Sequence, residues 1–479
     1  MTLGTSKTPG QLQYSFNEIL TIILIELVFD SSEALFTLFQ NSEFVEFFDW
    51  PWGSSVNTAK RRNCLILFHL PTSLYKMGLS RKNIIIFGVA GASILALSLG
   101  LGLGLKNDEL TEPFVEDYLK VKTQYGPVHG IVYDKDNELS FNQLGKYDQN
   151  VTHDAALFLG IPYAAPPIGQ NRFKSPKDPE HWSELRAPMN PASCAQKCHE
   201  PCPNIDEDCL YLNVYVPRKH LEEKSDKKLP VLLWYHGGAF QWGAGTSFLY
   251  DGRYIAPEMD IIVVGVNYRL TAFGFLQLPY VEEGEITNAN WGFMDQQKAL
   301  KWVHKNIGEF GGDNTRITVA GQSAGGVSTS LHHINEESSS MIKSVIVQSN
   351  PLAIGFKENW EGMLQTAHLG HVTNCPNADP DCLRKLSWEE LALKAKETPV
   401  FVNNEHILHA AMPFAPVIDG VLIKEQAMDS LRNVNYDTST NVMAGFVEHE
   451  TEIFVRTVAH EKFGTAGYKA LFRALLKVI

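Results

Sequence analysis

The sequence has no excess of positive charge and no strong compositional bias. Its 41 Lys and Arg residues stand against 54 Asp and Glu residues, giving a formal net charge of −13 over 479 residues. A nucleic-acid-binding protein normally needs a basic face, so this balance disfavours that class. Hydrophobic residues make up 44% and charged residues 20%, with 36 Gly and 24 Pro. These proportions exclude collagen-like, low-complexity and wholly disordered chains.

One long segment has no charged residue at all. Residues 84–105 read IIIFGVAGASILALSLGLGLGL, and at about 1.5 Å per residue they would extend about 33 Å, enough to cross a bilayer core of about 30 Å. Basic residues precede the segment and mostly acidic residues follow it. The positive-inside rule therefore predicts a type II signal-anchor helix over 83–105. The alternative is a cleaved signal peptide and a secreted product, because Met77 opens a basic stretch just before the apolar run.

The predicted anchor divides the chain into four segments. Residues 1–82 are either cytoplasmic or, if Met77 is the true start, absent from the product. Residues 106–120 are acidic and polar and are typical of a stalk. Residues 121–479 form the main domain, which the orientation places in the lumen or outside the cell.

Cysteine is scarce, with seven residues, but most of it follows the predicted anchor. The six on that side are Cys194, Cys198, Cys202, Cys209, Cys375 and Cys382. An even number fits three disulfides in an oxidising compartment, and a zinc cluster is the alternative. The spacing favours a Cys375–Cys382 bond and pairs within 194–209. Asn150 opens the sequon Asn-Val-Thr and is a candidate glycosylation site.

Beyond the stalk, apolar strand-like runs alternate with helical patterns, which predicts an α/β fold. One helix is predicted over 290–309, because Leu300, Val303, Ile307 and Phe310 follow one another at helical spacing. The predicted strands cover residues 231–234, 260–266, 316–320, 344–348 and 441–447.

The sequence Gly321-Gln322-Ser323-Ala324-Gly325 joins one of these strands to a predicted helix. A strand-to-helix turn this tight forces its central residue into a strained conformation and leaves room only for glycine on either side. The serine hydroxyl would stand at a helix N-terminus, where developing negative charge is favoured. We therefore predict that Ser323 is a catalytic nucleophile.

A nucleophilic serine also needs hydrogen-bond donors for the oxyanion of the tetrahedral intermediate. The amide of Ala324, directly after the serine, is one candidate. The turn His236-Gly237-Gly238-Ala239 follows an earlier predicted strand, where a small-residue loop of this kind is expected. The amides of Gly238 and Ala239 are the further candidates.

Several blocks together resemble the carboxylesterase type-B, or cholinesterase-like, family of α/β hydrolases. The match runs from about residue 120 to the end of the chain, in the order of the family. Its parts are Phe310-Gly311-Gly312-Asp313 with GQSAGG, the block Glu207–Pro217, and the shorter blocks Phe158–Ala164, Asn267–Leu270 and Asn290–Gly292. The resemblance implies an α/β-hydrolase fold, with a large mixed central sheet flanked by helices.

The resemblance also implies roles for single residues. It places the nucleophile at Ser323 and the oxyanion hole at Gly238, Ala239 and Ala324, although Ala239 stands where the family usually has glycine. The acid of the triad should follow a late strand. By position, Glu448, Glu450 and Glu452 are all candidates, and Asp419 is a weaker one. The resemblance selects Glu450. It further implies a Cys194–Cys209 disulfide, which leaves Cys198 and Cys202 as a local pair.

A general base is the missing part of this expected Ser–Glu–His triad. The base should follow the acid in the chain, and only His460 does so. His460 lies in a run that is typical of a surface helix, and the family places its histidine about a hundred residues after the acid. We therefore expect a domain that lacks its C-terminal part and catalyses poorly.

The predicted function is a serine carboxylic ester hydrolase that acts on small-molecule esters through an acyl-enzyme and needs no cofactor or metal. The alternative is a non-catalytic adhesion or receptor ectodomain with a protein partner, like the neuroligins and neurotactin. No Trp lies between Cys194 and Cys209, whereas cholinesterases carry their choline-stacking Trp there. A general carboxylesterase is therefore favoured over a choline esterase.

Overall fold

An eight-stranded mixed sheet forms the centre of the folded domain. The computed structural model describes residues 117–133, 155–186, 190–196, 204–352, 355–398, 412–433 and 436–450. The strands are β1 (Lys120–Thr123), β2 (Gly126–His129), β3 (Ile131–Tyr133), β4 (Ala155–Pro162), β5 (Leu185–Arg186), β6 (Ser193–Cys194), β7 (Ile205–Asp206), β8 (Tyr211–Pro217), β9 (Leu229–Tyr235), β10 (Ile262–Val266), β11 (Gly312–Gln322), β12 (Ser344–Gln348) and β13 (Asn441–Gly445).

The order of strands across the large sheet is β13-β12-β11-β9-β10-β8-β4-β3. The five strands from β13 to β10 run parallel, and β8, β4 and β3 pair antiparallel. All five residues of β10 are buried, as expected for a parallel strand that is covered on both faces. Two smaller sheets pair β1 with β2 and β5, and β6 with β7.

Helices of the described residues connect and flank these strands. They are α1 (Arg218–Glu222), α2 (Ile255–Met259), α3 (Thr271–Phe275), α4 (Trp291–Asn306), α5 (Ala324–Ile334), α6 (Glu336–Ser339), α7 (Asn359–Val372), α8 (Pro380–Leu383), α9 (Trp388–Glu397) and α10 (Ala427–Arg432). The predicted helix over 290–309 is α4 followed by a 3-10 turn, Ile307–Phe310. Its four predicted apolar residues are all buried in the core.

Most predicted strands agree with the structure, with small differences at their ends. The run expected to begin at Asp260 forms a strand only from Ile262, because Asp260 has φ 53° and ends α2 in the left-handed conformation. The last strand ends at Gly445 rather than Val447. The first described residues, 117–120, lie in the segment predicted to be a stalk, and among them Leu119 is buried and Lys120 starts β1.

Two disulfides are present in the described residues, Cys194–Cys209 and Cys375–Cys382. The first is the bond that the family resemblance implies, and the second is the one favoured by spacing. Cys198, Cys202, the sequon at Asn150 and the apolar run 84–105 lie outside the described residues. Among the helices that are described, none is both long and apolar enough to cross a bilayer.

The register of the parallel strands brings their carboxyl ends to one level. Gly321 of β11 pairs with Tyr235 of β9, and Gln322 pairs with Gln348 of β12. Gln348 in turn pairs with Gly445 of β13. The turns that follow β9, β11 and β13 therefore leave the same edge of the sheet, which is where α/β proteins of this kind bind ligands.

Candidate active site

Ser323 occupies the sharp turn between β11 and α5. Its backbone has φ 57° and ψ −119°, a conformation that side-chain-bearing residues rarely adopt and that costs about 1–3 kcal/mol. The Ser323 amide donates to the Gln348 carbonyl at 3.0 Å, and the Ser323 carbonyl accepts from the Val327 amide at 2.9 Å. These bonds to β12 and α5 hold the strained residue in place.

Steric contacts require glycine at the two positions that flank Ser323 in the motif, residues 321 and 325. A Cβ atom on Gly325 would lie 2.0 Å from the Tyr235 carbonyl oxygen, and one on Gly321 would lie 2.3 Å from the Gly325 carbonyl oxygen. Any side chain at either position would therefore push α5 away from β9 and β11. The spacing of the G-x-S-x-G motif thus follows from how closely the helix approaches the sheet.

The turn after β9 lies directly beside the serine. A Cβ atom added to Gly237 would lie 3.3 Å from the Ser323 Cβ. Gly238, Ala239 and Phe240 then have φ values of 116°, 56° and 61°, which turn the chain back on itself. Gly238 and Ala239, which carry two of the predicted oxyanion donors, directly follow Gly237 in this turn.

These amides have no acceptor of their own in the part of the chain that the structure describes. The hydrogen bonds within the turn are made by other backbone groups. The Gly238 carbonyl accepts from the Gln241 and Trp242 amides at 2.9 and 3.1 Å. Ala324, the third predicted donor, is the first residue of α5, where an amide has no partner inside the helix and feels the positive end of the helix dipole. None of the three predicted donors therefore has an acceptor among the described residues.

The candidate acids differ in what their carboxylates contact. Glu450 accepts a hydrogen bond from the Val447 amide at 2.8 Å, within the turn that follows β13, whereas the side chain of Glu448 is 90% exposed. Asp419 accepts from the Thr287 hydroxyl and the Asn290 side chain, both at 2.9 Å. It also caps three backbone amides, so its bonds are those of a structural carboxylate. Glu452 lies outside the described residues.

No described histidine is hydrogen-bonded to Ser323. His236 is buried, stacks on Tyr268 at a ring distance of 4.4 Å, and places Nδ1 2.7 Å from the Gly237 carbonyl oxygen. His332 packs behind the sheet, with Nδ1 3.0 Å from the Ser338 hydroxyl. Burial lowers the pKa of His236 to about 4 and that of His332 to about 3, so both are neutral at pH 7. His460 lies outside the described residues.

Two glutamines that the sequence did not point to also contact the turn after β9. The Gln241 side chain donates to the Phe414 and Ala239 carbonyls, and Gln196 binds the backbone of Gly243. The Gln241–Phe414 and Gln196–Gly243 contacts join residues far apart in the chain, so no local pattern could have revealed them. Among the described residues, no cluster of three or more His, Cys, Asp and Glu side chains could hold a metal ion.

Comparison with known proteins identifies the family. The profile of the Carboxylesterase family matches residues 118–475, about three-quarters of the chain. The chain belongs to the carboxylesterase family. Its fold is accordingly that of an α/β hydrolase. Over 75% of this chain and 68% of the other, it superposes on the solved structure of a PNB esterase with a TM-score of 0.61 and 30% sequence identity.

Two curated relatives show the range of this carboxylesterase family. The para-nitrobenzyl esterase of Bacillus subtilis (strain 168) is 36% identical over 300 residues, which cover 60% of this chain and 58% of the relative. Neuroligin-2 of Mus musculus is 32% identical over 401 residues, which cover 74% of this chain and 44% of the relative. The chain thus spans about half the length of these relatives.

Proposed function

We propose that this chain is a serine carboxylic ester hydrolase. Ser323 Oγ attacks the ester carbonyl carbon, its proton passes to a base, and the amides of Gly238, Ala239 and Ala324 bind the oxyanion. Loss of the alcohol leaves an acyl-enzyme, which water hydrolyses to release the acid and free the serine. In this proposal Glu450 orients the base.

The strained backbone of Ser323 carries the proposal. A non-glycine residue at φ 57° between a strand and a helix is costly, and it is kept where the hydroxyl must stand clear of the backbone. The amides of Gly238, Ala239 and Ala324 support the proposal, because they have no acceptor among the described residues and an oxyanion requires free donors.

The general base is the part of the triad that the described residues leave open. His236 and His332 are held by other contacts and are buried as neutral rings. A chain whose base does not reach Ser323 would lose on the order of 10⁶ in kcat relative to a complete triad. The rate of acylation is therefore the quantity to measure.

Labelling with a fluorophosphonate probe tests the proposal. We expect the probe to attach to Ser323 of the full chain and to be lost in Ser323→Ala. Ser339→Ala is the control, because Ser339 lies in α6 and donates only to the Glu336 carbonyl. If folded full-length protein is not labelled at all, the hydrolase proposal is wrong, and the non-catalytic adhesion or receptor function takes its place.

We propose a general carboxylesterase rather than a choline esterase as the substrate class. The segment between Cys194 and Cys209 contains no Trp, so it offers no indole face for a quaternary ammonium group. The ratio of kcat/KM for butyl acetate to that for acetylcholine measures this preference. A ratio well below one would contradict it.

We further propose that residues 83–105 anchor the protein in a membrane and that the domain from about residue 121 faces the lumen or the exterior. Two disulfides support an oxidising compartment for this domain. Protease protection of sealed microsomes tests the orientation, and Asn150→Gln should remove one glycan. Full release by alkaline carbonate would favour a secreted product instead.

A further inference from the structure

The turn after β9 is closed by the residues that follow it. The Trp242 carbonyl oxygen would lie 1.9 Å from a Cβ atom placed on Gly238, and a Cβ atom on Gly243 would lie 2.8 Å from the Gly237 carbonyl oxygen. Residues 242 and 243 therefore pack directly behind the backbone of residues 237 and 238. We name the segment 236–243 the oxyanion loop.

One buried side chain fastens the end of the oxyanion loop. Gln196 Oε1 accepts from the Gly243 amide at 2.8 Å, and Gln196 Nε2 donates to the Gly243 carbonyl at 2.9 Å. The same Nε2 donates to the Cys194 carbonyl at 2.9 Å. Gln196 is only 5% exposed, so water cannot easily replace these bonds. Both polar backbone groups of Gly243 thus depend on a single glutamine.

This glutamine belongs to the segment closed by the Cys194–Cys209 disulfide. Cys194 also lies in β6, which pairs with β7 and fixes the backbone just before Gln196. A continuous set of contacts therefore leads from the disulfide through Gln196 to Gly243. It continues from Gly243 to Gly237, and from Gly237 to Ser323, whose Cβ lies 3.3 Å from the Cβ position of Gly237.

The oxyanion loop needs such support because its conformation is strained. Gly238, Ala239 and Phe240 have positive φ one after another, and two of them carry side chains, for which this region is unfavourable. The Phe240 carbonyl accepts from the Thr271 amide at 2.8 Å, which holds the middle of the loop. Gln196 holds the end at Gly243, and without it this end of the strained turn loses both of its bonds to the glutamine.

We propose that Gln196 is a positioning residue that aims the Gly238 and Ala239 amides at the oxyanion, and that the Cys194–Cys209 disulfide holds Gln196 for this purpose. The inference rests on the proposed hydrolase function of Ser323. Oxyanion donors act mainly in the transition state. Loss of the Gln196 contact should therefore lower kcat much more than it raises KM.

The first experiment compares Gln196→Met with Gln297→Met in the full chain. Gln297 is a matched control because it is also buried and its side chain donates to Asn335 and Ser338, in and beside α6. With p-nitrophenyl acetate, and per Ser323 titrated by fluorophosphonate, we expect Gln196→Met to lower kcat on the order of 10- to 100-fold. We expect KM to change about threefold or less and Gln297→Met to keep the wild-type kcat.

The conservative variant Gln196→Glu separates positioning from general packing and serves if Gln196→Met does not fold. A glutamate has the same shape, so it keeps the packing, and it still accepts from the Gly243 amide. It cannot donate to the Gly243 and Cys194 carbonyls and sets a carboxylate oxygen against them, so kcat should fall about as far as in Gln196→Met. Removal of the disulfide in Cys194→Ser with Cys209→Ser should reproduce the loss in kcat. The corresponding pair at Cys375 and Cys382 should not.

An unchanged kcat per titrated site in Gln196→Met would overturn the inference while leaving the hydrolase function intact. Absence of any labelling in the wild type would instead overturn the hydrolase function. In that case the amide chemical shifts of Gly238 and Ala239 decide the inference. These shifts should move in Gln196→Met and not in Gln297→Met, and equal spectra would overturn the positioning role.

Discussion

The candidate site has two halves that the fold supports very differently. We define the nucleophile half as Ser323 with the oxyanion loop, residues 236–243, and the acid half as β13 with the turn 446–450. The nucleophile half follows β9 and β11, which lie inside the sheet. The acid half follows β13, the strand at one end of the sheet order in the described residues.

Burial follows the same division. The inward residues of β9 and the apolar residues of β11 are buried, whereas all five residues of β13 are exposed. Glu450 is held by one hydrogen bond within its own turn, while Ser323 is held by bonds to two elements and by glycine contacts on both sides. Among the described residues, many contacts fix the position of Ser323, whereas few contacts fix the position of Glu450.

The largest expected effect comes from a buried ion pair that supports the nucleophile half. The Asp295 carboxylate accepts from Arg269 Nε and Nη2, both at 2.7 Å, and both side chains are almost fully buried. Arg269 lies two residues before Thr271, whose amide holds the oxyanion loop. We expect Asp295→Asn to lower the free energy of unfolding by about 4 kcal/mol, because it leaves a buried charge uncompensated.

The acid half offers the control for this prediction. Glu448 and His449 form an exposed pair at 4.0 Å, and Glu448→Gln should change the free energy of unfolding by less than about 0.5 kcal/mol. Urea unfolding followed by tryptophan fluorescence measures both variants. Similar losses in the two variants would remove the distinction between the halves.

Two glycines, one in each region, test the same difference by steric crowding instead of by charge. A Cβ atom on Gly325 would lie 2.0 Å from the Tyr235 carbonyl oxygen, whereas Gly445 at the end of β13 has nothing within 4 Å of its Cβ position. We expect Gly325→Ala to cost about 3 kcal/mol through overpacking. Gly445→Ala should change stability by about 0.5 kcal/mol or less. The midpoints of urea unfolding give both values, and a stable Gly325→Ala protein would contradict the tight contact between α5 and β9.

Two buried histidines, His236 in the oxyanion loop and His332 in α5, should also make the fold sensitive to acid. Burial lowers the pKa of His236 to about 4 and that of His332 to about 3, below the value of about 6.5 for an unfolded histidine. As the pH falls below 6.5, the unfolded chain binds protons that the folded chain does not, so the free energy of unfolding decreases. Each histidine should remove about 1.6 kcal/mol between pH 6.5 and pH 5.

Urea unfolding at pH 7, 6 and 5 measures this dependence. His332→Phe keeps a ring between Tyr235 and Phe293 but removes one titrating group. Its unfolding free energy should therefore depend less steeply on pH than that of the wild type, whatever its value at pH 7. Equal slopes would show that His332 does not contribute.

The sequence predicted the parts of the site that depend on neighbouring residues. The G-x-S-x-G spacing predicted the turn at Ser323, because helix and sheet contacts exclude side chains at residues 321 and 325. Apolar runs predicted β9, β11 and β12 and the buried face of α4. For the acid, position alone left three glutamates open, and the resemblance to the family was needed to select Glu450.

The remaining features depend on residues that are far apart in the chain. The bonds between Gln196 and Gly243 join two turns, and a glutamine that binds a backbone looks in the sequence like any other glutamine. The left-handed ending of α2 at Asp260 could not be separated from the apolar strand that follows. Sequence periodicity indicates which face of an element is buried, but not which side chain will bind a distant turn.

The smallest expected effect is at Phe446, directly after β13, which is 86% exposed. Phe446→Ala should change the free energy of unfolding by less than about 0.5 kcal/mol, because an exposed side chain leaves no cavity when it is shortened. Phe275 is the matched control beside the nucleophile half, since it is buried in α3 and packs edge-on against Phe240 of the oxyanion loop. Phe275→Ala should cost about 3 kcal/mol. A loss above about 1 kcal/mol for Phe446→Ala would mean that another part of the chain or a second copy covers β13, and the two halves would then be supported alike.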